Sequence, residues 1–345
     1  MLALQAVTPA DLVREVPGVS QAEARKLVAA VPRGEPVAAS SAVRRSAACA
    51  VRAAGQVPAL TVLAETASAI DPFVRYLVAG PDGARFEAVR IPLEHPGRVT
   101  VCVSSQVGCA LACAFCATGR LGLLRNLAAW EIVEQVRVVR ARLPRGRIHG
   151  VVFQGMGEPL ANLDAVLQAI RVFSEPCALG IDARAITVCT AGLPGGIRRL
   201  AAEAPRVRLG ISISSAIAAH RKAVMPIAGH HDLEDVIAAA ADHARATGLA
   251  PMWAVTLLDG VNDADADADA LAGRAIAFHA RTGVRPRISL LDYNAIGQGD
   301  PFRRSPRMAA FRAVLSAAGL ASHRRYSGGS DVAAACGQLA STGAV

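Results

Sequence analysis

Hydrophobic residues follow two alternating spacings from residue 99 onward. Short runs rich in β-branched residues, typical of buried strands, are each followed by a longer stretch with the apolar spacing of an amphipathic helix. The predicted strands are 99–105, 149–155, 185–190, 207–214, 252–258 and 287–293. The predicted helices lie near 127–142, 161–173, 195–204, 231–247, 264–281 and 306–319.

This alternation predicts parallel βαβ units that form a barrel-like or open sheet. In such sheets the chemistry lies at the carboxyl ends of the strands. The repeat DADADADA at 263–270 falls at the start of a predicted helix, where the helix dipole favours acidic residues. We interpret this repeat as a solvated surface without a function.

The first part of the chain has a different pattern. Residues 1 to about 83 are helix-like, and Pro17-Gly18-Val19 followed by QAEARKLVAAV indicates the turn and second helix of a helical hairpin. Such hairpins contact nucleic-acid backbones in some proteins and only pack against a neighbouring domain in others. From Ala84 the pattern changes to strand-like alternation.

Charge and composition narrow the classes of function. The chain has 37 Lys and Arg against 28 Asp and Glu, a net charge of +9, which indicates either an anionic partner or the codon usage of a GC-rich genome. No stretch approaches the roughly 20 apolar residues of a membrane span, and the start lacks the order of a secretory signal. We therefore expect no membrane association and a cytoplasmic location. Eight cysteines in a reducing compartment favour metal or redox chemistry over a disulfide scaffold.

Three of these cysteines have a spacing that suits an iron–sulfur cluster. Cys109, Cys113 and Cys116 lie in CALACAFC, directly after the first predicted strand of the barrel. Three ligands for a four-iron cluster leave one iron open, and an open iron can chelate S-adenosylmethionine (SAM) and release a 5′-deoxyadenosyl radical. Phe115 is expected to shield the cluster. The alternatives are a zinc site, which normally recruits a fourth Cys or His, or buried free thiols.

Polar residues at the ends of other strands are candidates for holding SAM. The turn Gly155-Met156-Gly157-Glu158-Pro159 ends the second predicted strand, where glycines allow a close approach and Glu158 can accept from an ammonium group. Ser212, Ser214 and Asn294 end the fourth and sixth strands and offer further polar groups, although each is also a common loop residue. Cys102 and Cys336, taken alone, are explained equally well as small buried hydrophobic residues.

The stretch VTVCVSSQVGCALACAFCATGRLGLLRNL, with GMGEPL, VCTAG, DYN and DVAAACGQLA, resembles the RlmN/Cfr family of radical-SAM RNA adenosine methyltransferases. The resemblance covers roughly residues 83–341. It implies an α/β fold, a radical-SAM partial (β/α)6 barrel with a small N-terminal helical accessory domain. The implied organisation is an N-terminal accessory, RNA-binding domain at 1–82, a strand-like connector at 83–98, the barrel at 99–320 and a C-terminal segment with the methyl-carrier cysteine at 321–345.

The resemblance also implies a reaction and its residues. The family methylates a ring carbon of adenosine in 23S ribosomal RNA, and transfer RNA in some members, with a 4Fe–4S cluster, two SAM molecules per turnover and a flavodoxin-type reductant. Cys336 matches the cysteine that carries the methyl group, Cys102 the thiol that resolves the adduct through a transient disulfide, and Glu87 the proton acceptor.

The SAM-binding positions carried over from the family are Gly157, Glu158, Cys189, Ser212, Ile213, Ser214 and Asn294. This chain departs from the family at three of its positions. Cys189 replaces a serine, SISSA lacks a common histidine, and Ala295 follows Asn294 where proline is usual. We expect methylation at carbon 2 and keep carbon 8 open. The alternative function is radical-SAM methylation of a small molecule or a peptide.

Overall fold

Ten strands form one continuous sheet through the centre of the protein. The computed structural model describes residues 1–143, 146–297 and 299–340. The last five residues of the expected C-terminal segment, 341–345, lie outside the described residues. Among the described residues, no helix combines the length and the apolar character needed to cross a lipid bilayer.

The N-terminal helices form a small unit with its own core. Its elements are β1 (Leu2–Ala3), α1 (Pro9–Glu15), α2 (Gln21–Ala30), α3 (Arg45–Ala54) and β2 (Gly55–Gln56). Thr8 and Ser20 cap α1 and α2, and Gly18, with φ +81°, makes the turn between them, so the predicted helical hairpin is confirmed. Leu12, Leu27 and Val51 are buried at the centre of this unit.

Three antiparallel strands follow the helical unit. They are β3 (Thr61–Ala67), β4 (Val74–Ala79) and β5 (Arg85–Pro92). The expectation of helix up to about residue 83 was therefore wrong for β3 and β4. In β4 the side chains of Val74, Tyr76 and Val78 are buried. Such β-branched and aromatic residues favour strands when neighbouring strands are present to pack against. Since β5 pairs with the first parallel strand, these strands extend the barrel sheet.

The barrel itself follows the predicted alternation closely. Its elements are β6 (Arg98–Val103), β7 (Gln106–Gly108), α4 (Ala117–Arg120), β8 (Leu123–Asn126), α5 (Ala129–Ala141), β9 (Arg147–Phe153), α6 (Leu163–Ser174), β10 (Ile186–Thr190), α7 (Pro194–Glu203), β11 (Arg208–Ser212), α8 (Ala218–Val224), α9 (Leu233–Thr247), β12 (Met252–Leu257), α10 (Asp265–Thr282), β13 (Arg287–Asp292), α11 (Met308–Ala317) and β14 (Ser322–Arg325). All six predicted strands and all six predicted helices are confirmed as elements.

The parallel strands lie in the order β6-β9-β10-β11-β12-β13-β14. The last of these was not predicted, because SHRR is short and polar and its pairing with β13 depends on the tertiary fold. The main hydrophobic core lies between the sheet and its helices, where Trp253 of β12 contacts Phe278 of α10 edge-on at 5.3 Å between ring centroids.

The acidic repeat is not wholly solvated, contrary to expectation. Asp263 accepts a hydrogen bond from Ser305 Oγ at 2.5 Å, and Asp267 accepts one from Ser215 Oγ at 3.0 Å. Both carboxylates are buried, so two of the repeated acids tie α10 to neighbouring loops. A sequence repeat alone does not reveal which of its members face the interior.

Candidate functional site

The carboxyl ends of the parallel strands surround an open cavity with about 970 Å³ of empty space. Thr190 at the end of β10, Ser212 at the end of β11 and Leu291 near the end of β13 line this cavity. Its position is the one that parallel α/β folds use for chemistry.

One loop carries the three predicted cluster ligands. Cys109 follows β7 directly and Cys116 precedes α4. Gly108 has φ +77°, and a Cβ on it would lie 1.9 Å from the carbonyl oxygen of Gly122, so only glycine allows the β7–β8 hairpin to close here. The amide of Cys109 donates to that same carbonyl at 2.8 Å, which fixes where the loop begins.

The three thiols face the cavity together. Cys109, Cys113 and Cys116 all line it and all are half-buried. Burial raises the pKa of Cys109 to about 11 and that of Cys113 to about 12. Cationic iron bound to these sulfurs would offset that cost, because metal binding favours the thiolate.

The donor set fits a cluster with several irons. No group of three His, Cys, Asp or Glu side chains within the described residues is arranged to hold a single metal ion. A four-iron cluster makes a different demand, since each cysteine binds its own iron at a separate corner. Thiolates on one loop around an apolar cavity satisfy that demand. Phe115 and Leu111 pack with Met225 and Tyr293 beside the loop, which agrees with the expected shielding role of Phe115.

The glycine turn after β9 lies across the cavity wall. Gly157 has φ +95°, and a Cβ there would lie 2.5 Å from Cβ of Gln106. Glu158 is buried in the wall, and burial raises its pKa. Its carboxylate accepts the amides of Leu160 at 3.0 Å and Ala191 at 2.8 Å. The Thr190 hydroxyl also donates to this carboxylate, which leaves about one of its four lone-pair sites for a cationic ligand group.

The other expected SAM contacts divide into two groups. Cys189, Ser212 and Ser214 line the cavity. Ile213 offers no side chain to the cavity: its side chain is buried in the core, its amide donates to Ala254 at 2.9 Å, and its carbonyl accepts other groups. Its contact with SAM stays a prediction. Asn294 turns toward the C-terminal segment, where its side-chain amide donates to the carbonyl oxygen of Cys336 at 3.2 Å.

The C-terminal segment brings Cys336 into the same cavity wall as the three loop cysteines. The amide of Cys336 donates to Ser327 Oγ at 2.8 Å. The next residue, Gly337, accepts a hydrogen bond from the amide of Ala117 at 2.7 Å, directly after the cluster loop. The structure therefore joins two segments that are far apart in sequence.

Cys102 and Glu87 lie deeper in the protein. Cys102, on β6, is 7% exposed, and burial raises its pKa, with a further contribution from negative charge on Cys336. Glu87, on β5, is fully buried, forms an ion pair with Arg75 at 3.2 Å and accepts the amide of Ala340 at 3.2 Å. Both residues thus lie close to the segment that carries Cys336.

Sequence reasoning missed two arginines at this site. Arg221 is buried and donates to the carbonyl oxygens of Ser212 and Ala191 at 2.7 Å each, which holds two strand ends in place. Burial lowers its pKa to about 10. Arg325 lies opposite Leu291 on β13. Burial lowers the pKa of Arg325, but negative charge on nearby cysteines outweighs this, and the pKa is raised overall. Neither arginine has a local sequence signal, since HRK and HRR look like surface runs.

Comparisons with known proteins agree with this arrangement. The family model described as the Radical SAM superfamily matches residues 103–271. The chain is 58% identical over 347 residues to a protein named "Probable RNA methyltransferase" from Sorangium cellulosum, with 94% of this chain and 88% of that protein covered. It is 43% identical over 287 residues to the "Dual-specificity RNA methyltransferase RlmN" of Syntrophobacter fumaroxidans, with 82% and 81% covered.

A solved structure is similar over the whole length. The crystal structure of a radical SAM methyltransferase from Sphaerobacter thermophilus superposes with a TM-score of 0.86 at 33% identity. The superposition covers 99% of this chain and 100% of that one, so it includes the helical unit, the barrel and the C-terminal segment.

Proposed function

The chain belongs to the RlmN/Cfr-like family of radical-SAM RNA methyltransferases, and from this we propose that it methylates a ring carbon of adenosine in 23S ribosomal RNA through Cys336. A member of this family is a SAM-dependent enzyme with a 4Fe–4S cluster and two SAM molecules per turnover. Within the proposal, carbon 2 is favoured over carbon 8 and transfer RNA is a second substrate. A flavodoxin-type reductant supplies electrons, and the reaction takes place in the cytoplasm, where these RNAs are found.

One observation supports the proposal that Cys336 carries the methyl group. Its sulfur belongs to a residue in the wall of the cavity that Cys109, Cys113 and Cys116 also line. Burial raises the pKa of Cys116, and negative charge on Cys336 adds to this, as expected for two nearby sulfurs. A thiol with only a packing role would not need to face this cavity.

The residues proposed to bind the cofactors line the same cavity. Cys109, Cys113 and Cys116 would hold the cluster, and Gly157, Glu158, Cys189, Ser212 and Ser214 would hold SAM. When bound, these groups supply a carbon-centred radical able to remove a hydrogen atom from a methyl group. Asn294 supports the site indirectly by holding the backbone of Cys336.

The chemistry of adenine explains why a carrier thiol is needed. Carbons 2 and 8 are electron-poor amidine carbons, so neither attacks the methyl group of SAM as a nucleophile. A thiolate at Cys336 does attack it, because thiolates are strong nucleophiles. Loss of a hydrogen atom from the resulting S-methyl group leaves a radical on that carbon, which adds to the adenine ring. The RNA is then tethered to Cys336.

Release of the product needs a base and a second thiol. The addition leaves one unpaired electron on the ring, which the oxidised cluster would accept. Glu87 is proposed to take the ring proton, and Cys102 to attack the sulfur of Cys336; the S–C bond breaks with its electron pair on the carbon, which gains a proton, so the methylated base is freed and a disulfide remains. Negative charge on Cys336 affects the pKa of Cys102, which supports their closeness. The contact of Glu87 with Ala340 links the proposed base to the same segment.

The N-terminal unit is proposed to contact RNA. The boundaries predicted from the sequence were 1–82 for this accessory domain, 83–98 for the connector, 99–320 for the barrel and 321–345 for the C-terminal segment. Within the first range, β3 and β4 pair into the barrel sheet, so the helical unit proposed to contact RNA ends near β2. Exposed Arg45 and Arg52 on α3 supply positive charge on the outer surface of that unit. Phosphate contacts of this kind position an RNA without reading its sequence.

An anaerobic assay tests the function directly. The reconstituted protein is incubated with SAM, a reductant and either a 23S ribosomal RNA fragment or transfer RNA, and the digested nucleosides are analysed by mass spectrometry. We expect methyladenosine from the wild type and none from Cys336→Ala. Cleavage of SAM without any change in either RNA would contradict the RNA proposal and favour a small-molecule or peptide substrate.

A further inference from the structure

Cys189 is a cavity thiol that the proposed reaction does not use as a thiol. It lies on β10 and lines the same cavity as Cys336, whereas the cavity-lining residues that the structure describes do not include Cys102. Gly210 on the neighbouring strand leaves room for it, since a Cβ there would lie 2.8 Å from Cys189 Sγ. Its Sγ makes one long contact, to Gln154 Oε1 at 3.8 Å.

The strand register separates Cys189 from Cys102. Cys102 of β6 lies opposite Val152 of β9, and Val152 lies opposite Thr187 of β10. Cys189 is therefore two strands away and two residues nearer the carboxyl end. Two strand spacings amount to roughly 9–10 Å, whereas a disulfide needs Cα atoms within about 7 Å. Each of these strand thiols can pair only with a thiol from another segment.

Cys336 is the thiol that both can meet. It lies on a loop rather than on a strand and, like Cys189, lines the cavity. Burial raises the pKa of Cys102 and of Cys189, and negative charge on Cys336 raises each further. The positive charge of the Arg325 guanidinium acts to lower the pKa of both thiols. Three thiols thus lie near one cation, and Cys336 is the one among them that is not fixed in a strand of the sheet.

We propose that Cys189 is a second resolving thiol, able to release methylated RNA from Cys336 in place of Cys102; this rests on the proposed carrier role of Cys336. The thiolate of Cys189 attacks Sγ of Cys336 and forms an S–S bond. The bond between that sulfur and the methylene carbon breaks, and its electron pair goes to the carbon, which gains a proton and becomes the methyl group. The two sulfurs are oxidised to a disulfide while the carbon is reduced, so no further oxidant is required.

The test compares wild type, Cys102→Ser, Cys189→Ser and the double variant in a single turnover with 23S ribosomal RNA fragment and no added thiol. Reactions are quenched in acid and alkylated. Denaturing gels then measure the RNA–protein adduct, and peptide mass spectrometry maps disulfides. Serine at 189 keeps a hydroxyl at the position, and Cys177→Ser, on the far side of the barrel against the N-terminal unit, is the matched control.

We expect Cys102→Ser to release part of its adduct and to contain a Cys189–Cys336 disulfide, and the double variant to accumulate several-fold more adduct. The inference is overturned if Cys102→Ser traps as much adduct as the double variant and Cys189 is recovered fully alkylated. Failure of the proposed function looks different. Either the wild type would leave the RNA unmethylated, or Cys336→Ala, included as a further variant, would methylate it as the wild type does; in both cases no variant would give an adduct or a disulfide.

Discussion

The cysteines of this protein carry the same thiol group but lie in different environments. Cys109, Cys113 and Cys116 are half-buried on a loop, Cys336 is held by backbone hydrogen bonds at the cavity wall, and Cys102 is enclosed in a strand. Because the thiolate is the reactive form, burial and local charge decide which sulfur reacts and when. Spacing along the chain predicted the cluster ligands, but only the fold reveals which thiols share a cavity.

A single methyl group at Gly157 should disturb SAM binding. In Gly157→Ala the new Cβ would collide with Gln106, whose amide oxygen accepts the backbone N–H of Glu158 at 2.8 Å. The clash and the left-handed backbone together cost about 1–3 kcal/mol. We expect the Kd for SAM to rise about tenfold or more, measured by equilibrium binding to the reconstituted protein.

The matched control is Gly248→Ala, at the end of α9. Gly248 also has a positive φ, +69°, but a Cβ there meets nothing within 4 Å. It carries the backbone strain without the collision, so thermal stability should fall slightly while SAM affinity is unchanged. Equal loss of affinity in both variants would contradict the role given to the glycine turn.

Arg325 should control the pH dependence of adduct release. Its positive charge lowers the pKa of Cys102 and Cys189, so Arg325→Gln raises both. At a fixed pH the thiolate fraction falls about tenfold for each pKa unit, and release slows but recovers as the pH rises. The adduct half-life across a pH series measures this.

Arg325→Lys keeps the charge and serves as the comparison. Its pH profile should stay near that of the wild type, whereas Arg325→Gln should be displaced to higher pH. A uniform slowing with an unshifted profile in Arg325→Gln would indicate a packing role only.

At the scale of elements, the hydrophobic pattern predicted the six strands and six helices of the barrel because each has a clear period. It did not predict β3, β4 and β14. In β14 the sequence SHRR has no apolar face, and the strand exists because β13 supplies hydrogen-bonding partners. The sequence pattern also did not predict the contacts of the C-terminal segment, because these contacts are made with residues far away in the chain.

The C-terminal segment is anchored at several points. Asp71 accepts the amide of Gly329 at 2.8 Å and the hydroxyl of Tyr326 at 2.7 Å, and Asp331 accepts Ser68 Oγ at 2.7 Å. These contacts tie the segment to the β3–β4 connection.

Asp71→Ala should loosen this segment and slow methylation without loss of the cluster. The variant loses two hydrogen bonds from the segment, worth about 1 kcal/mol or more, while the cluster cysteines lie on a different loop. We expect unchanged iron content, slower RNA methylation and faster proteolysis within 321–340. Asp269→Ala, an exposed acid on α10, is the control. Unaltered methylation and proteolysis in Asp71→Ala would refute the anchoring role.

At the scale of the whole molecule, the helical unit is fixed to the barrel. Gln168 of α6 donates to the carbonyl oxygen of Ala6 at 2.7 Å, and Arg137 of α5 donates to that of Val31 at 3.0 Å. The net charge of +9 pointed to an anionic partner, but the sequence could not locate the responsible surface. Surface location depends on how the helices dock, which local patterns do not encode.

Removing charge from α3 should weaken RNA binding in a salt-dependent way. If Arg45 and Arg52 each contact a phosphate, Arg45→Ala with Arg52→Ala lowers RNA affinity and reduces the slope of log K against log salt by about two. Binding measured across a salt series checks this. The control is Arg198→Ala with Arg245→Ala. It also removes two positive charges, from the two arginines that pair with Asp242, and should leave the slope unchanged. The proposal for α3 fails if both pairs behave alike.

The anchoring of Cys336 across the cavity has a consequence for biosynthesis. Translation delivers the loop of Cys109, Cys113 and Cys116 long before it delivers the segment that contains Cys336, so a nascent chain passes through a stage in which the cavity lacks one wall. The hydrogen bonds that Ala117 donates to Gly337 and that Gly329 donates to Asp71 can form only after that segment has been made. The wall that contains Cys336 is therefore the last part of the cavity to be completed.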